Sequence, residues 1–121
     1  MSRVAGAIPW DVRTRAEMLL RRYCDKRVPD HARHQVRLEF EMRGSTATLV
    51  ERRVPWRPIT PDEEWTRSPV ARLRFDAAPG RWSLDWRDRN RRWHPYDFQP
   101  SEDIAELLAE VDRDPTGIFW G

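Results

Sequence analysis

Residues 70–96 read VARLRFDAAPGRWSLDWRDRNRRWHPY, and the alternation within this stretch sets the architecture. Ala71, Leu73 and Phe75 recur at every second position, and Trp82, Leu84 and Trp86 do the same beyond the turn Ala77-Ala78-Pro79-Gly80. A period of two puts one set of side chains on each face of a strand, so the stretch reads as a hairpin with one apolar face. Folding it about the turn pairs Phe75 with Trp82, Leu73 with Leu84 and Ala71 with Trp86. The same register sets Asp76 against Arg81 and Arg72 against Asp85 on the other face, and opposite charges across a ladder support it. A second turn near Arg89-Asn90 brings Trp93 opposite Trp86 and adds a third strand through about Tyr96. The meander is expected over residues 70–97.

Working back toward the N-terminus, residues 55–69 are expected to be irregular, with Pro55, Pro58 and Pro61 interrupting and Trp56 and Trp65 packing the loop down. Before it, Val36, Leu38, Phe40 and Met42 alternate with charged residues, and Gly44-Ser45 reads as a two-residue hairpin turn. The hairpin over residues 35–54 then places Met42 opposite Ala47 and Phe40 opposite Leu49. It also places Glu51 opposite Leu38 and Arg53 opposite Val36, charges on an apolar face that mark a fray, a bulge or a functional position. Residues 10–27 carry an apolar stripe at helical spacing, Val12, Ala16, Leu19, Leu20, Tyr23 and Cys24, with Asp11 as the expected N-cap.

Beyond the meander, Ile104, Leu107, Leu108 and Val111 define a second helix over residues 101–113, with Ser101 as its expected cap. An apolar tail, residues 114–121, closes the chain and is expected to dock on this fold or on a partner. The expected fold class is α+β: a five-stranded antiparallel meander-type sheet with an N-terminal and a C-terminal helix packed on one face. All 121 residues fit a single domain, 1–121, able to bury roughly two-thirds of its unfolded surface.

Composition narrows the function classes. The lone cysteine, Cys24, makes no intramolecular disulfide, which suits a reducing compartment. The absence of a long apolar run argues against a spanning helix, and the first ten residues lack a secretory leader, so a cytoplasmic location without membrane contact is expected. Of the 22 basic residues 21 are arginine, yet the formal net charge is only +2, weak beside strongly basic nucleic-acid binders.

Several stretches stand out together: Glu51-Arg52-Arg53 with Pro55-Trp56-Arg57, Trp65-Thr66-Arg67 with Pro69 and Ala71, Trp82 through Tyr96, and Asp114 through Gly121, with Tyr23-Cys24. In these stretches the chain resembles the bacterial domain of unknown function 3024 family. The resemblance implies a small stand-alone bacterial protein and carries no activity with it. Asp85 departs from it, since an uncharged and often aromatic residue is expected there, which counts against chemistry built on Asp85.

Four functional readings follow from the residues. Arginine interleaved with tryptophan, at Arg52, Arg53, Trp56, Arg57, Trp65 and Arg67 and again at Arg87, Arg89, Arg91 and Arg92, suits single-stranded nucleic acid, which needs cations for phosphates and flat rings for bases. Against it, the expected registers turn Trp82, Trp86 and Trp93 into the core. Opposite balances on the two helices, +3 over residues 11–27 (six basic, three acidic) and −4 over 101–113 (one basic, five acidic), suit pairing between protomers. The tail residues Ile118, Phe119 and Trp120 would add contact area. His94, expected across from Asp85, suits acid–base chemistry, although no nucleophile accompanies it. Glu51 and Arg53 have the two-residue spacing of an acid and a cation in some metal-dependent nucleases, with arginine in place of lysine. Among Cys24, His31, His34 and His94, His31 and His34 could share a helical face, but no paired-cysteine or HExxH pattern accompanies them, so no metal and no cofactor are expected. The leading expectation is a non-enzymatic protein-interaction module that self-associates or binds a protein partner. Single-stranded nucleic-acid binding is the alternative, and a small nuclease-like hydrolase the further one.

Overall fold

The structure, a computed structural model, describes residues 8–55 and 65–120. Five strands form one antiparallel sheet in chain order: β1 (Val36–Arg43), β2 (Thr46–Arg53), β3 (Thr66–Asp76), β4 (Arg81–Arg87) and β5 (Trp93–Pro95). Helix α1 (Trp10–Arg27) precedes the sheet and α2 (Ile104–Arg113) follows it, giving the expected α+β fold. No helix among the described residues is long and apolar enough to cross a membrane.

The first hairpin and the β3–β4 ladder have the registers that alternation predicts. Phe40 faces Leu49 and Leu38 faces Glu51, while Phe75 faces Trp82, Leu73 faces Leu84 and Arg72 faces Asp85. The apolar side of this sheet meets both helices. Ala16, Leu20 and Cys24 of α1 and Ile104, Leu107 and Val111 of α2 are buried with Ala47, Leu49, Ala71, Leu73, Trp82 and Leu84. The Trp82 indole lies with its ring centre 5.1 Å from that of Phe75 and is only 1% exposed, making it the largest fully buried side chain among the described residues.

Two parts of the sheet differ from expectation. Residues 66–69 are not irregular; they open β3 and pair with the end of β2, Arg67 facing Arg52 and Pro69 facing Val50. Between Pro69 and Ala71 the register shifts, leaving Val70 as an unpaired bulge residue. The expected loop over residues 56–64, with Trp56 and Arg57, lies outside the described residues. Strand β5 is displaced by one residue, so Trp93 faces Arg87 and Trp86 faces His94. The cause is the turn. Asp88 N–H donates to the Arg92 carbonyl, leaving a three-residue loop whose last residue, Arg91, sits in the left-handed region at φ 65°. Trp93 is therefore on the face away from the helices, not in the core, and His94 is not opposite Asp85.

The caps also shift. Pro9 is the N-cap of α1, with Asp11 in the first turn, where its charge favours the positive helix end. Asp103, not Ser101, caps α2 by accepting from Ala105 N–H at 3.0 Å, while Ser101 Oγ accepts from Asp103 N–H.

The opposite charges of the helices meet within the chain. Arg15 reaches Asp103 at 3.4 Å, Arg27 reaches Asp112 at 3.7 Å, and the Tyr23 hydroxyl donates to Asp112 at 3.1 Å. The tail docks on its own fold as well. Asp114, left-handed at φ 42°, accepts from Phe119 N–H at 3.0 Å and Trp120 N–H at 2.9 Å. Trp120 Nε1 donates to the Val111 carbonyl at 2.9 Å, and Phe119 is buried against Tyr96 with ring centres 5.0 Å apart. Ile118 is half-buried in the same cluster.

Candidate functional site

With both helices on one side, the other side of the sheet is left to charged residues. Strand alternation delivers Arg37, Arg43 and Arg52 from β1 and β2, Arg67, Arg72 and Arg74 from β3, and Arg81 and Arg87 from β4. Four carboxylates join them: Glu39, Glu41, Asp76 and Asp85. Eight cations against four anions leave this face at +4, more than the +2 of the whole chain. Arginine that is uniform in sequence is thus sorted in space.

Asp85 organises the middle of the face. It is 1% exposed and accepts from Arg72 Nε at 2.8 Å, from Arg74 Nε at 2.6 Å and from Arg74 Nη2 at 3.0 Å. Hydrogen bonding to Asp85 raises the Arg74 pKa, so that cation is firmly charged. Towards β1, Arg67 grips Glu41 with both Nε and Nη2, and this hydrogen bonding holds the Glu41 carboxyl below its ordinary value. Arg52 donates to Glu39 at 3.1 Å.

Two indoles share this face with the cations. The Arg72 guanidinium lies 4.8 Å from the Trp93 ring centre and that of Arg87 lies 5.7 Å from it. Arg37 lies 4.3 Å from the ring centre of Trp65. Both indoles are half-buried, so each keeps part of its surface in solvent. Stacking of this kind fixes the ring and the guanidinium plane together.

At the end of the sheet, a cleft of about 340 Å³ is lined by Arg67, Ser68 and Pro69 of β3, Arg87 of β4, and Asp88 and Arg91 of the tip. The Asp88 carboxylate is engaged by its own loop: Oδ1 accepts from Asn90 N–H at 2.8 Å and Arg92 N–H at 2.9 Å, and Oδ2 lies 2.6 Å from His94 Nε2. The His94 contact first, and the Arg92 N–H next, hold the Asp88 carboxyl below the usual range. His94 is stacked on Trp86, with ring centres 4.7 Å apart. Arg87 Nε is buried without a hydrogen-bond acceptor among the described residues.

The structure brings together Arg87 and Arg91 of the expected binding set, with Arg89 and Arg92 exposed on the same tip and Trp65 toward the far side of the sheet. Arg53 is elsewhere, ion-paired with Glu51 at 2.9 Å on the apolar side of β2. That pair accounts for the acid–cation spacing of Glu51 and Arg53. Among the described residues no three His, Cys, Asp or Glu side chains gather as metal ligands. Arg72, Arg74 and Trp93 are members of this face that sequence reasoning missed, and the β4–β5 loop length was the signal for Trp93.

These features define a small α+β protein with a cationic, indole-bearing sheet surface. Within that class, the chain belongs to the family described as a domain of unknown function (DUF3024), whose model matches residues 9–121. No curated protein and no solved structure matches the chain.

Proposed function

We propose that the protein binds single-stranded nucleic acid across the helix-free face of its sheet, with phosphates on the arginines and bases against Trp65 and Trp93. The observation that carries this reading is the position of Trp93, which stands among Arg72 and Arg87 on the solvent side instead of in the core. Sheets that bind single strands combine the same two elements, since every base offers a π-face and every nucleotide a phosphate. Self-association, the leading expectation from sequence, loses its two supports: the helix charges pair within the chain, and the tail is docked on its own core.

Titration of labelled single-stranded RNA and DNA at several salt concentrations tests the proposal. Affinity is expected to fall with a slope of roughly 0.7 per phosphate contacted. Trp93→Ala is expected to weaken binding by about tenfold, in line with the loss of one base–aromatic stack. An absence of binding at low salt, or a Trp93→Ala protein that folds and binds as before, would end the proposal.

A further inference from the structure

We infer that the cleft between β3 and the β4–β5 tip is a subsite for a terminal phosphate, a phosphomonoester, at the end of the bound strand; this rests on the nucleic-acid reading above. The cleft is lined by an arginine from three separate segments, Arg67 from β3, Arg87 from β4 and Arg91 from the loop; Arg67 already donates to Glu41, so Arg87 and Arg91 are the cations left to a ligand. Guanidinium groups match phosphate oxygens in a fork geometry, and a monoester offers three free oxygens where an internal diester offers two. A monoester also carries close to two negative charges at neutral pH.

The donor accounting points the same way. Arg87 Nε is withdrawn from water and has no acceptor among the described residues, and a buried donor left in that state is costly. The one carboxylate in the lining, Asp88, does not relieve it, because two loop amides and His94 already occupy its oxygens. Arg91 has no ion pair among the described residues, and its left-handed backbone holds it at the rim. At about 340 Å³ the cleft is at the small end of ligand pockets, a size suited to a chain end and not to a strand passing through. Its position at one edge of the indole-bearing face is where a strand lying across that face would finish.

One labelled oligonucleotide prepared with a 5′-phosphate, with a 3′-phosphate and with neither tests the inference. One phosphorylated form is expected to bind about tenfold more tightly than the unphosphorylated one. Arg91→Asn, which suits the left-handed backbone and leaves the core untouched, is expected to abolish that preference, read as the ratio of phosphorylated to unphosphorylated affinity within the variant. Arg87→Met is expected to abolish the preference and, because Arg87 also belongs to the strand-binding face, to weaken the unphosphorylated form as well, whereas Trp93→Ala is expected to weaken all three forms alike and keep the preference. Equal binding of all three oligonucleotides by the native protein overturns the subsite and leaves the proposed function standing. Saturable binding of adenosine monophosphate with no oligonucleotide bound supports the cleft as a phosphomonoester site but overturns the strand-binding reading, and with it the assignment to a strand end. A preference that persists in both cleft variants overturns the assignment to these arginines.

Discussion

Arg72 lies over the Trp93 ring at 4.8 Å while its Nε donates to Asp85 at 2.8 Å, so the carboxylate holds the cation against the indole. Asp85 is almost fully buried, yet Arg72 and Arg74 both reach solvent. Removing the anion therefore leaves cations that can turn outward, a milder loss than an orphaned buried charge. Asp85→Asn is expected to cost about 2 kcal/mol in urea denaturation, below the ~3–5 kcal/mol of a fully buried pair. The Trp93 emission is expected to change in the same variant. Unchanged stability would mean that Asp85 does not organise the face.

Burial pushes the Cys24 thiol up to about 12, with Asp25 and Glu39 adding to the shift. The reactive species is the thiolate, so native protein at pH 8 is expected to resist iodoacetamide while denatured protein labels readily. Mass spectrometry of timed samples measures this, and prompt native labelling would contradict it.

Tyr96 donates to Glu110 at 2.7 Å, and Arg113 donates to the other Glu110 oxygen. The Tyr96 contact first, then Arg113, depresses the Glu110 pKa, while the bond to Glu110 lifts Tyr96 to about 12. A depressed carboxyl contributes stability above its unfolded value, roughly 4.3, and loses it as pH falls through the lower folded value. A raised phenol contributes below its unfolded value, roughly 10, and loses it as pH climbs through the folded one. Tyr96→Phe is expected to cost about 1–2 kcal/mol between those limits. The gap from the native protein is expected to narrow as pH falls below the ordinary carboxylate range; a gap that stays constant through acid unfolding would refute the coupling.

Phe119 and Asp114 fasten the tail in different ways, one by burial and one by accepting two amides. Phe119→Ala is expected to cost about 3 kcal/mol. Asp114→Ala is expected to release the Phe119 and Trp120 amides to fast hydrogen exchange, which two-dimensional NMR reads directly. Slow exchange of both amides in that variant would show that the carboxylate is not the fastening.

The β3–β4 ladder was legible because two independent patterns agreed on it: apolar pairs such as Phe75 with Trp82 and opposite charges at Arg72 and Asp85. Strand β5 had no such redundancy. It is three residues long, and its register turned on whether the loop held an even or an odd number of residues, a matter settled by Arg91 adopting a conformation usually given to glycine or asparagine. The helix charges were read correctly as complementary, but a linear sequence does not say whether complementary surfaces meet within one chain or between two. The cleft was illegible for a related reason. Arg67 and Arg87 are 20 positions apart, and what unites them is a strand pairing through a segment, 66–69, that lacks alternation and contains proline.

That segment owes its facing to Val70. In a pleated strand, counting back from Ala71 without interruption would aim residues 69, 67 and 65 toward the helices. The supernumerary residue reverses parity, so Pro69 pairs with Val50, Arg67 with Arg52, and Trp65 follows them outward to Arg37. Excising this one valine would merely regularise the ladder and keep Arg67 and Trp65 outward, whereas drawing it into the ladder opposite Val50 would turn a cation and a ring inward with no change in composition.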